Sequence, residues 1–157
     1  MLKLKFIVVD KTRAPFLKDG EDFYLDRIKR YAPTEWIEVR PTRLIKGISD
    51  EEVKRAEGQA ISQKVNTGDF LVTLDKSGRQ YDSEGLAEWL KRLSTDVRGS
   101  VVFTIGGPVG LSSEIIQKAG SVMSLSKMTF THEMSRIVLL EQIYRALTII
   151  KGEKYHK

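Results

Sequence analysis

Residues 122–157 read VMSLSKMTFTHEMSRIVLLEQIYRALTIIKGEKYHK, and the rest of the chain is organised around this stretch. A short apolar run, Val122–Leu125, leads into a hydroxyl-rich loop, and a long helical pattern follows from His132 to Lys151. The pattern stops at Gly152 and leaves a polar tail. A loop that joins the end of a strand to the start of a helix commonly holds a ligand. The stretch therefore predicts a ligand site at the loop before the helix.

The composition is that of an ordinary soluble globular protein. With 157 residues, 41% of them hydrophobic and 30% charged, we expect one domain, residues 1–157, with a core of its own. The absence of cysteine excludes disulfide bonds, thiolate metal sites and a cysteine nucleophile, and two histidines without an acidic cluster predict no metal site. Because no apolar run approaches ~18 residues and no cleavage site follows the N-terminus, we expect a cytoplasmic protein without membrane contact.

The charge balance is slightly basic. There are 26 Lys and Arg against 21 Asp and Glu, for a net charge of +5. This excess mildly favours a polyanionic partner such as nucleic acid, and a solvated surface with a small positive bias explains it equally well. The basic residues are interspersed with acidic ones, which excludes a disordered basic arm.

Apolar runs alternate with amphipathic patterns along the chain. Strands are predicted at Lys3–Val9, Trp36–Val39, Asp69–Leu74, Val101–Ile105 and Val122–Leu125. Helices are predicted over Phe23–Tyr31, from Ser49 to about Val65, from Asp82 or Ser83 through Leu93, from Ser112 or Ser113 to about Ala119, and from His132 to Lys151. Turns are predicted at Asp10–Gly20 and Asp75–Gly78. This alternation indicates a three-layer α/β fold with a mainly parallel sheet.

Residues 106–111, GGPVGL, directly follow a predicted buried strand. The motif lacks the Lys-Ser/Thr of a phosphate loop and the spacing of the dinucleotide fingerprint. In a parallel sheet its glycines would lie beside two other strand ends, at Leu74–Asp75 and Leu125–Phe130. A cleft of this kind suits a heterocycle bound by main-chain hydrogen bonds. The alternative is a glycine-rich turn that binds nothing.

The final helical pattern is apolar on two sides. Met134, Val138 and Ile149 lie opposite the main apolar arc, which indicates burial on both sides, either against a second copy of the chain or at the centre of a monomer. Arg136 lies within the main arc. A buried arginine must be paired or hydrogen-bonded, so it either braces the carbonyl groups of the preceding loop or meets an anionic ligand.

Polar residues near the C-terminus also allow two interpretations. Glu141 and Arg145 are four residues apart on the helix and predict a surface ion pair, or else a role in the site. The tail Tyr155-His156-Lys157 is either a frayed chain end or a group that stacks on a base and handles its proton.

Three motifs resemble the RlmH family of ribosomal RNA large-subunit methyltransferases. They are GGPVGL (106–111), SLSKMTFTHEMSRIVLLEQIYRA (124–146) and KGEKYHK (151–157), and the likeness extends nearly from end to end. The resemblance implies a SPOUT-type α/β fold with a C-terminal trefoil knot, and a homodimer. It also implies S-adenosylmethionine-dependent methylation of N3 of a pseudouridine in a hairpin loop of 23S ribosomal RNA, in the assembled ribosome.

The resemblance also implies two sets of site residues and no metal. The positions that would bind S-adenosylmethionine are Leu74, Gly106, Leu125, Ser126, Lys127, Met128, Thr129 and Phe130. The positions implicated in substrate handling and catalysis are His132, Arg136, Glu141, Arg145, Tyr155 and His156. Methyl transfer from a sulfonium needs an oriented, deprotonated nucleophile, so a base or a nearby cation must favour the anion of the weakly acidic N3.

Two other functions are compatible with the residues. One is a non-enzymatic, basic module that associates with the ribosome and has kept the fold. The other is the same scaffold acting on a different RNA. Binding of S-adenosylmethionine distinguishes the enzyme from the module, and mapping of the modified nucleotide identifies the RNA.

Overall fold

The computed structural model describes residues 1–157 as one five-stranded sheet with five helices. Its elements are β1 Leu4–Val9, α1 Pro15–Ile28, β2 Thr34–Val39, α2 Asp50–Ser62, β3 Phe70–Arg79, α3 Ser83–Asp96, β4 Val101–Ile105, α4 Ser113–Lys118, β5 Ser121–Met123 and α5 His132–Ile150. The strand order is β2-β1-β4-β3-β5, and all neighbouring strands are parallel. The predicted α/β fold with a parallel sheet is therefore confirmed. None of the five helices is long and apolar enough to cross a membrane.

The strands at the centre of the sheet are covered on both faces. Every residue of β1 is buried, and its side chains alternate between two hydrophobic clusters. Leu4, Phe6 and Val8 belong to the larger cluster, which includes residues of α1, α3 and α5. Ile7 and Val9 belong to the smaller cluster, which includes residues of α2 and α4. This alternation explains why a continuous apolar run forms a strand here, and it gives the three layers.

The first helix corrects one prediction. The turn expected over Asp10–Gly20 is wrong from Pro15 onward, because α1 begins at Pro15 and continues through Gly20. Proline is well suited to the first helical position, where its φ is already helical and its missing N–H has no partner to lose. The short polar segment before Pro15 remains irregular and connects β1 to the helix.

The third strand corrects another prediction. The expected turn at Asp75–Gly78 does not end the strand, because β3 continues to Arg79. Leu74 and Arg79 both pair with Met123 of β5, so the residues between them form an irregularity within the strand. The Asp75 carboxylate accepts a hydrogen bond of 3.0 Å from the backbone N–H of Ser77, which stabilises this local turn.

The helix starts follow the capping residues that the sequence contains. Ser49, where the helix was predicted to begin, forms a capping box with Glu52, and its hydroxyl accepts from the Glu52 N–H at 3.1 Å. Asp82 caps α3 and Ser112 caps α4, as expected. The predicted C-terminal end of a helix is less accurate, since α2 ends at Ser62 and was predicted to end near Val65.

Candidate functional site

A cavity lies where three neighbouring strands end. The carboxyl ends of β4, β3 and β5 meet at one edge of the sheet, and the loop between β5 and α5 closes a space of about 460 Å³ there. We call it the strand-end cavity. Its lining residues are Leu74, Asp75, Lys76, Ile105, Gly106, Gly107, Pro108, Gly110, Leu111, Ser124, Leu125, Ser126, Met128, Thr129, Phe130, Thr131, His132 and Ser135. The volume falls within the range of about 300–1,000 Å³ typical of small-molecule sites.

The structure brings most of the expected donor-binding residues together in this cavity. Those that line it are Leu74, Gly106, Leu125, Ser126, Met128, Thr129 and Phe130. Lys127 belongs to the same loop but does not line the cavity. The convergence of three strand ends, expected for a parallel sheet, is thus observed.

The glycines of the motif at 106–111 are required by the turn itself. A side chain at Gly106 would place its Cβ 2.6 Å from the carbonyl carbon of Gly110 and 2.9 Å from the N–H nitrogen of Leu111. The Gly110 N–H donates to the Gly107 carbonyl at 3.0 Å, and Gly110 has a φ of +86°. The chain therefore folds back tightly beside the cavity, with backbone groups rather than side chains at its wall.

Local hydrogen bonds order the loop between β5 and α5. The buried Ser124 hydroxyl donates to the Ser126 carbonyl at 3.1 Å, and the Ser126 hydroxyl accepts from the Met128 N–H at 3.0 Å. Thr131 caps α5 by accepting from the Met134 N–H at 3.2 Å. These side chains explain why the loop is rich in hydroxyl groups, and they place the N-terminus of α5 at the cavity.

His132 is the first residue of α5, and it lines the strand-end cavity. Burial lowers the pKa of His132, and the nearby Arg136 cation lowers it further, while Glu133 and Asp10 oppose the change. The imidazole is therefore held neutral at neutral pH, so it presents one donor and one acceptor nitrogen to its surroundings.

Arg136 is fully buried and does not reach the cavity. Its Nη2 donates to the carbonyl oxygen of Val9 at 2.6 Å, and its Nη1 donates to the Thr12 hydroxyl at 2.8 Å. The sequence predicted that Arg136 contacts either carbonyl groups of the loop before α5 or an anionic ligand. The structure shows a carbonyl partner, but this carbonyl belongs to the end of β1 and not to that loop. Burial lowers the pKa of Arg136, and Glu21, Glu133, Glu38 and Asp10 oppose the change.

Four of the six residues expected in substrate handling form one cluster, which we call the tail cluster: Glu141, Arg145, Tyr155 and His156. Arg145 donates to Glu141 Oε1 from Nη2 at 2.5 Å and from Nε at 3.1 Å. The Tyr155 hydroxyl donates to the same oxygen at 3.1 Å, and His156 Nδ1 lies 3.3 Å from Arg145 Nη1. The tail therefore packs against α5, and the interpretation of a frayed end does not describe this structure.

Burial and hydrogen bonds set the protonation of two members of the tail cluster, Tyr155 and Arg145. Burial raises the pKa of Tyr155 to about 12, and its hydrogen bond to Glu141 acts in the same direction. The hydrogen bond from Arg145 to Glu141 raises the pKa of Arg145. At neutral pH the cluster therefore presents a protonated phenol and a guanidinium cation beside the His156 imidazole.

The tail cluster and the strand-end cavity lie on different parts of α5. His132 and Ser135 of the first turn line the cavity, whereas the cluster is attached at Glu141 and Arg145, and none of its members lines the cavity. At 1.5 Å per residue, His132 and Arg145 are separated by about 20 Å along the helix axis. One copy of the chain therefore does not bring the two sets of residues together.

Sequence reasoning did not single out several residues of the cavity. Lys76 lines it because the irregularity in β3 turns back toward β5, and its sequence signal was that of an ordinary turn, whereas the neighbouring Asp75 was expected there as part of a strand end. Thr131 and Ser135 line it at the N-terminus of α5, and Thr131 was detectable as the residue before the helical pattern. Across the structure there is no group of three or more His, Cys, Asp or Glu side chains placed to hold a metal ion.

Comparison with known proteins identifies the family. A family model described as "Predicted SPOUT methyltransferase" matches residues 2–156. The chain belongs to the SPOUT methyltransferase family. Methyltransferases of this family generally use S-adenosylmethionine. The expectation of a methyltransferase is thereby confirmed, which leaves no support for a non-enzymatic module.

Individual relatives and structures agree with this assignment. The chain is 42% identical over 155 residues to the ribosomal RNA large subunit methyltransferase H of Trichlorobacter lovleyi, and 37% identical over 155 residues to that of Cytophaga hutchinsonii, with 99% of each chain covered in both cases. The resemblance to the RlmH family is therefore confirmed.

Two solved structures share the fold at low sequence identity. One is a probable methylase family protein from Haemophilus influenzae, with a TM-score of 0.56, 13% identity, and coverage of 100% of this chain and 72% of that one. The other is a probable methyltransferase from Bordetella pertussis, with a TM-score of 0.56, 16% identity, and coverage of 93% and 96%.

Proposed function

We propose that this protein transfers the methyl group of S-adenosylmethionine to N3 of a pseudouridine in a hairpin loop of 23S ribosomal RNA, in the assembled ribosome of the cytoplasm. The relatives are named ribosomal RNA large subunit methyltransferase H, which supports a ribosomal RNA substrate. The nucleotide, its N3 position and the ribosomal context come from the family resemblance. We also propose the C-terminal trefoil knot and a single domain over residues 1–157 on that basis.

The strand-end cavity suits the donor. It combines a backbone wall at Gly106 and Gly107 with apolar side chains such as Leu74 and Leu125, which fits a heterocycle bound by main-chain groups. The N-terminus of α5 reaches the same cavity and favours a carboxylate there. We propose that Lys127 also contributes, through the backbone of the loop. The donor supplies an electrophilic methyl group carried on a sulfonium.

The separation along α5 is the observation that carries the proposal of a homodimer. Along the helix axis, about 9 Å separates Ser135 at the cavity from Glu141 of the tail cluster, and about 20 Å separates His132 from Arg145. A site that needs both must take the tail cluster from a second copy. Met134 and Val138 support this arrangement, because they are only partly buried and belong to neither hydrophobic cluster of one copy, whereas Ile149 already packs against the larger cluster.

We assign the proton and charge handling to the tail cluster. His156 accepts the N3 proton or orients the base, and Arg145 or Lys157 stabilises the negative charge that the imide acquires. Glu141 holds Arg145 and Tyr155 in place through its Oε1 atom. Removal of the proton makes N3 a nucleophile, and it then bonds to the methyl carbon as the bond from that carbon to sulfur breaks. His132 and Arg136 remain proposed contributors, His132 at the cavity wall and Arg136 as a buried brace.

The experiment that tests the function is methylation of ribosomes from a strain that lacks the gene. Purified protein and S-adenosylmethionine are added, and the RNA is mapped by primer extension and mass spectrometry. Methylation at N3 of one pseudouridine of 23S ribosomal RNA is the expected result. Methylation elsewhere would favour the same scaffold acting on a different RNA. Calorimetric titration with S-adenosylmethionine measures donor binding independently.

A further inference from the structure

A second cavity adjoins the strand-end cavity. It has a volume of about 290 Å³ and lies among the ends of β1 and β2, helix α2 and the start of α5. We call it the side cavity. Pro108 and His132 line both cavities, so they form the wall between them. An occupant of the side cavity would therefore be a neighbour of the reacting groups without being the methyl acceptor.

The side cavity contains a buried carboxylate with one unused oxygen. Glu57 is 4% exposed, and its Oε2 accepts a hydrogen bond of 3.1 Å from the Thr42 N–H. Its Oε1 is buried and has no hydrogen-bond partner. Burial raises the pKa of Glu57, opposed by the Thr42 N–H. A buried carboxylate oxygen is costly to leave unsatisfied, so the site favours a ligand that brings an N–H donor.

The backbone leaves space beside that oxygen. A Cβ atom at Gly107 would stand 3.3 Å from Glu57 Oε1 and 3.4 Å from Val9 Cγ1, so any other residue there would crowd the oxygen from the side of the strand-end cavity. Asp10, which lines the cavity, has a φ of +68°, a left-handed conformation that is uncommon for a residue other than glycine. Such strain is concentrated at functional sites.

The rim of the side cavity suits a polyanion. The loop at 40–47 contains Arg40, Arg43 and Lys46 and no acidic residue, and all three are exposed. Its Leu44, which lines the cavity, is 75% exposed, and the adjacent Ile45 is 64% exposed. Cations that follow a phosphate backbone are a feature of single-stranded nucleic-acid surfaces, which combine them with aromatic side chains for stacking; this loop has the cations and offers aliphatic surface in place of aromatic rings.

We propose that the side cavity binds an unstacked base of the RNA substrate, adjacent to the base that is methylated, and that Glu57 Oε1 accepts a hydrogen bond from an N–H of that base. This inference rests on the proposed function. The volume of about 290 Å³ lies just below the range of about 300–1,000 Å³ for small-molecule sites, which suits a base more than a whole nucleotide. RNA hairpin loops provide such bases, since their unpaired bases can be splayed out of the stack.

The variant Glu57→Gln tests the hydrogen bond with little change in shape. Its amide oxygen must take over the bond from the Thr42 N–H, so its NH₂ group replaces Oε1 and turns an acceptor into a donor. We expect KM for ribosomes to rise about 10- to 100-fold, with kcat and the Kd for S-adenosylmethionine unchanged. The matched control is Glu51→Gln on the exposed side of the same helix.

A second variant keeps the inference testable if Glu57→Gln does not fold. Val109 lines the side cavity but not the strand-end cavity, and Val109→Phe would fill the space while leaving Glu57 intact. The same rise in KM is expected. A wild-type KM in either folded variant overturns the inference, as does a loss of donor binding in both. If the wild-type protein binds the donor but methylates no ribosome, the proposed function itself fails.

Discussion

Arg136 of α5 donates a hydrogen bond of 2.6 Å from Nη2 to the carbonyl oxygen of Val9, the last residue of β1. Its second donor, Nη1, contacts the Thr12 hydroxyl, which in turn donates to the buried carboxylate of Glu21. This network ties the helix that begins at the strand-end cavity to the strand whose end borders the side cavity. The buried hydrogen-bond network of Arg136 therefore stabilises the backbone next to both cavities.

We expect Arg136→Ala to destabilise the protein strongly. It removes the donors to the Val9 carbonyl and the Thr12 hydroxyl, takes a cation away from the buried Glu21 carboxylate and opens space in the core, so the free energy of unfolding should fall by about 3–5 kcal/mol. Urea unfolding at neutral pH measures the change. The control is Arg30→Ala at the surface, which should alter stability by about 0.5 kcal/mol or less. A folded, fully stable Arg136→Ala protein without activity would instead give Arg136 a catalytic role.

Replacement of Gly106 should weaken donor binding. A Cβ atom there meets the backbone of Gly110 and Leu111 at 2.6–2.9 Å, so even Gly106→Ala must displace the turn, and Gly106→Val also puts a branched group at the cavity wall. We expect the Kd for S-adenosylmethionine to rise at least tenfold, measured by calorimetry. Gly20→Ala is the control, since its Cβ would make ordinary contact at 3.6 Å within α1. Unchanged affinity in Gly106→Val would place the donor elsewhere.

The tail can be tested at His156. If His156 is the base, His156→Ala should lower single-turnover methylation of ribosomes by ~10²–10⁴-fold, the usual contribution of general-base assistance. Donor affinity should change little, because no member of the tail cluster lines the strand-end cavity. Normal turnover would leave the tail without a role in the chemistry. Loss of donor binding would mean that the tail is needed for the structure.

The proposed dimer makes a prediction about mass. In sedimentation equilibrium at micromolar concentration, we expect twice the monomer mass of 17.9 kDa. Val138→Lys, on the half-buried stripe of α5, should shift the protein toward monomer, because the interface would have to bury an unpaired charge. Glu88→Lys on the exposed side of α3 is the control and should leave the mass unchanged. Wild-type protein found only as a monomer would contradict the dimer.

The buried ion pair between Lys5 and Asp69 makes the free energy of unfolding depend on pH in the acid range. Asp69 accepts from the Ser100 N–H at 2.8 Å, the Asn66 N–H at 2.9 Å and Lys5 Nζ at 3.0 Å. Burial alone would raise the pKa of Asp69, but these donors outweigh it and hold the pKa below its usual value of 3.8. The resulting stability is fully present above about pH 4 and is lost as the pH falls through the folded-state pKa.

We therefore expect Asp69→Asn to lower the free energy of unfolding by roughly 3 kcal/mol at pH 7, and by less at pH 3. Urea unfolding at the two pH values gives the comparison. The control is Asp96→Asn, at the exposed end of α3. An equal loss of stability at both pH values would contradict the role of the charge.

The sequence alone determined most of the local structure, because the signals are local. The apolar runs of β1 and β4, the capping box at Ser49–Glu52 and the long pattern of α5 each depend on neighbouring residues. The prediction of a ligand site at the motif 106–111 and the loop 125–130 also rests on local signals. The family resemblance rests on these segments, and it is confirmed across residues 2–156.

Only the tertiary structure decided what distant segments do together. The bond from Arg136 to Val9 joins residues 127 positions apart, and the unused oxygen of Glu57 becomes evident only when Thr42 and Gly107 are placed around it. The irregularity at Asp75–Gly78 likewise depends on β5, which pairs with both ends of it. Hydrophobic periodicity records whether a residue is buried. Which partner satisfies a buried polar group depends on how the chain folds back on itself.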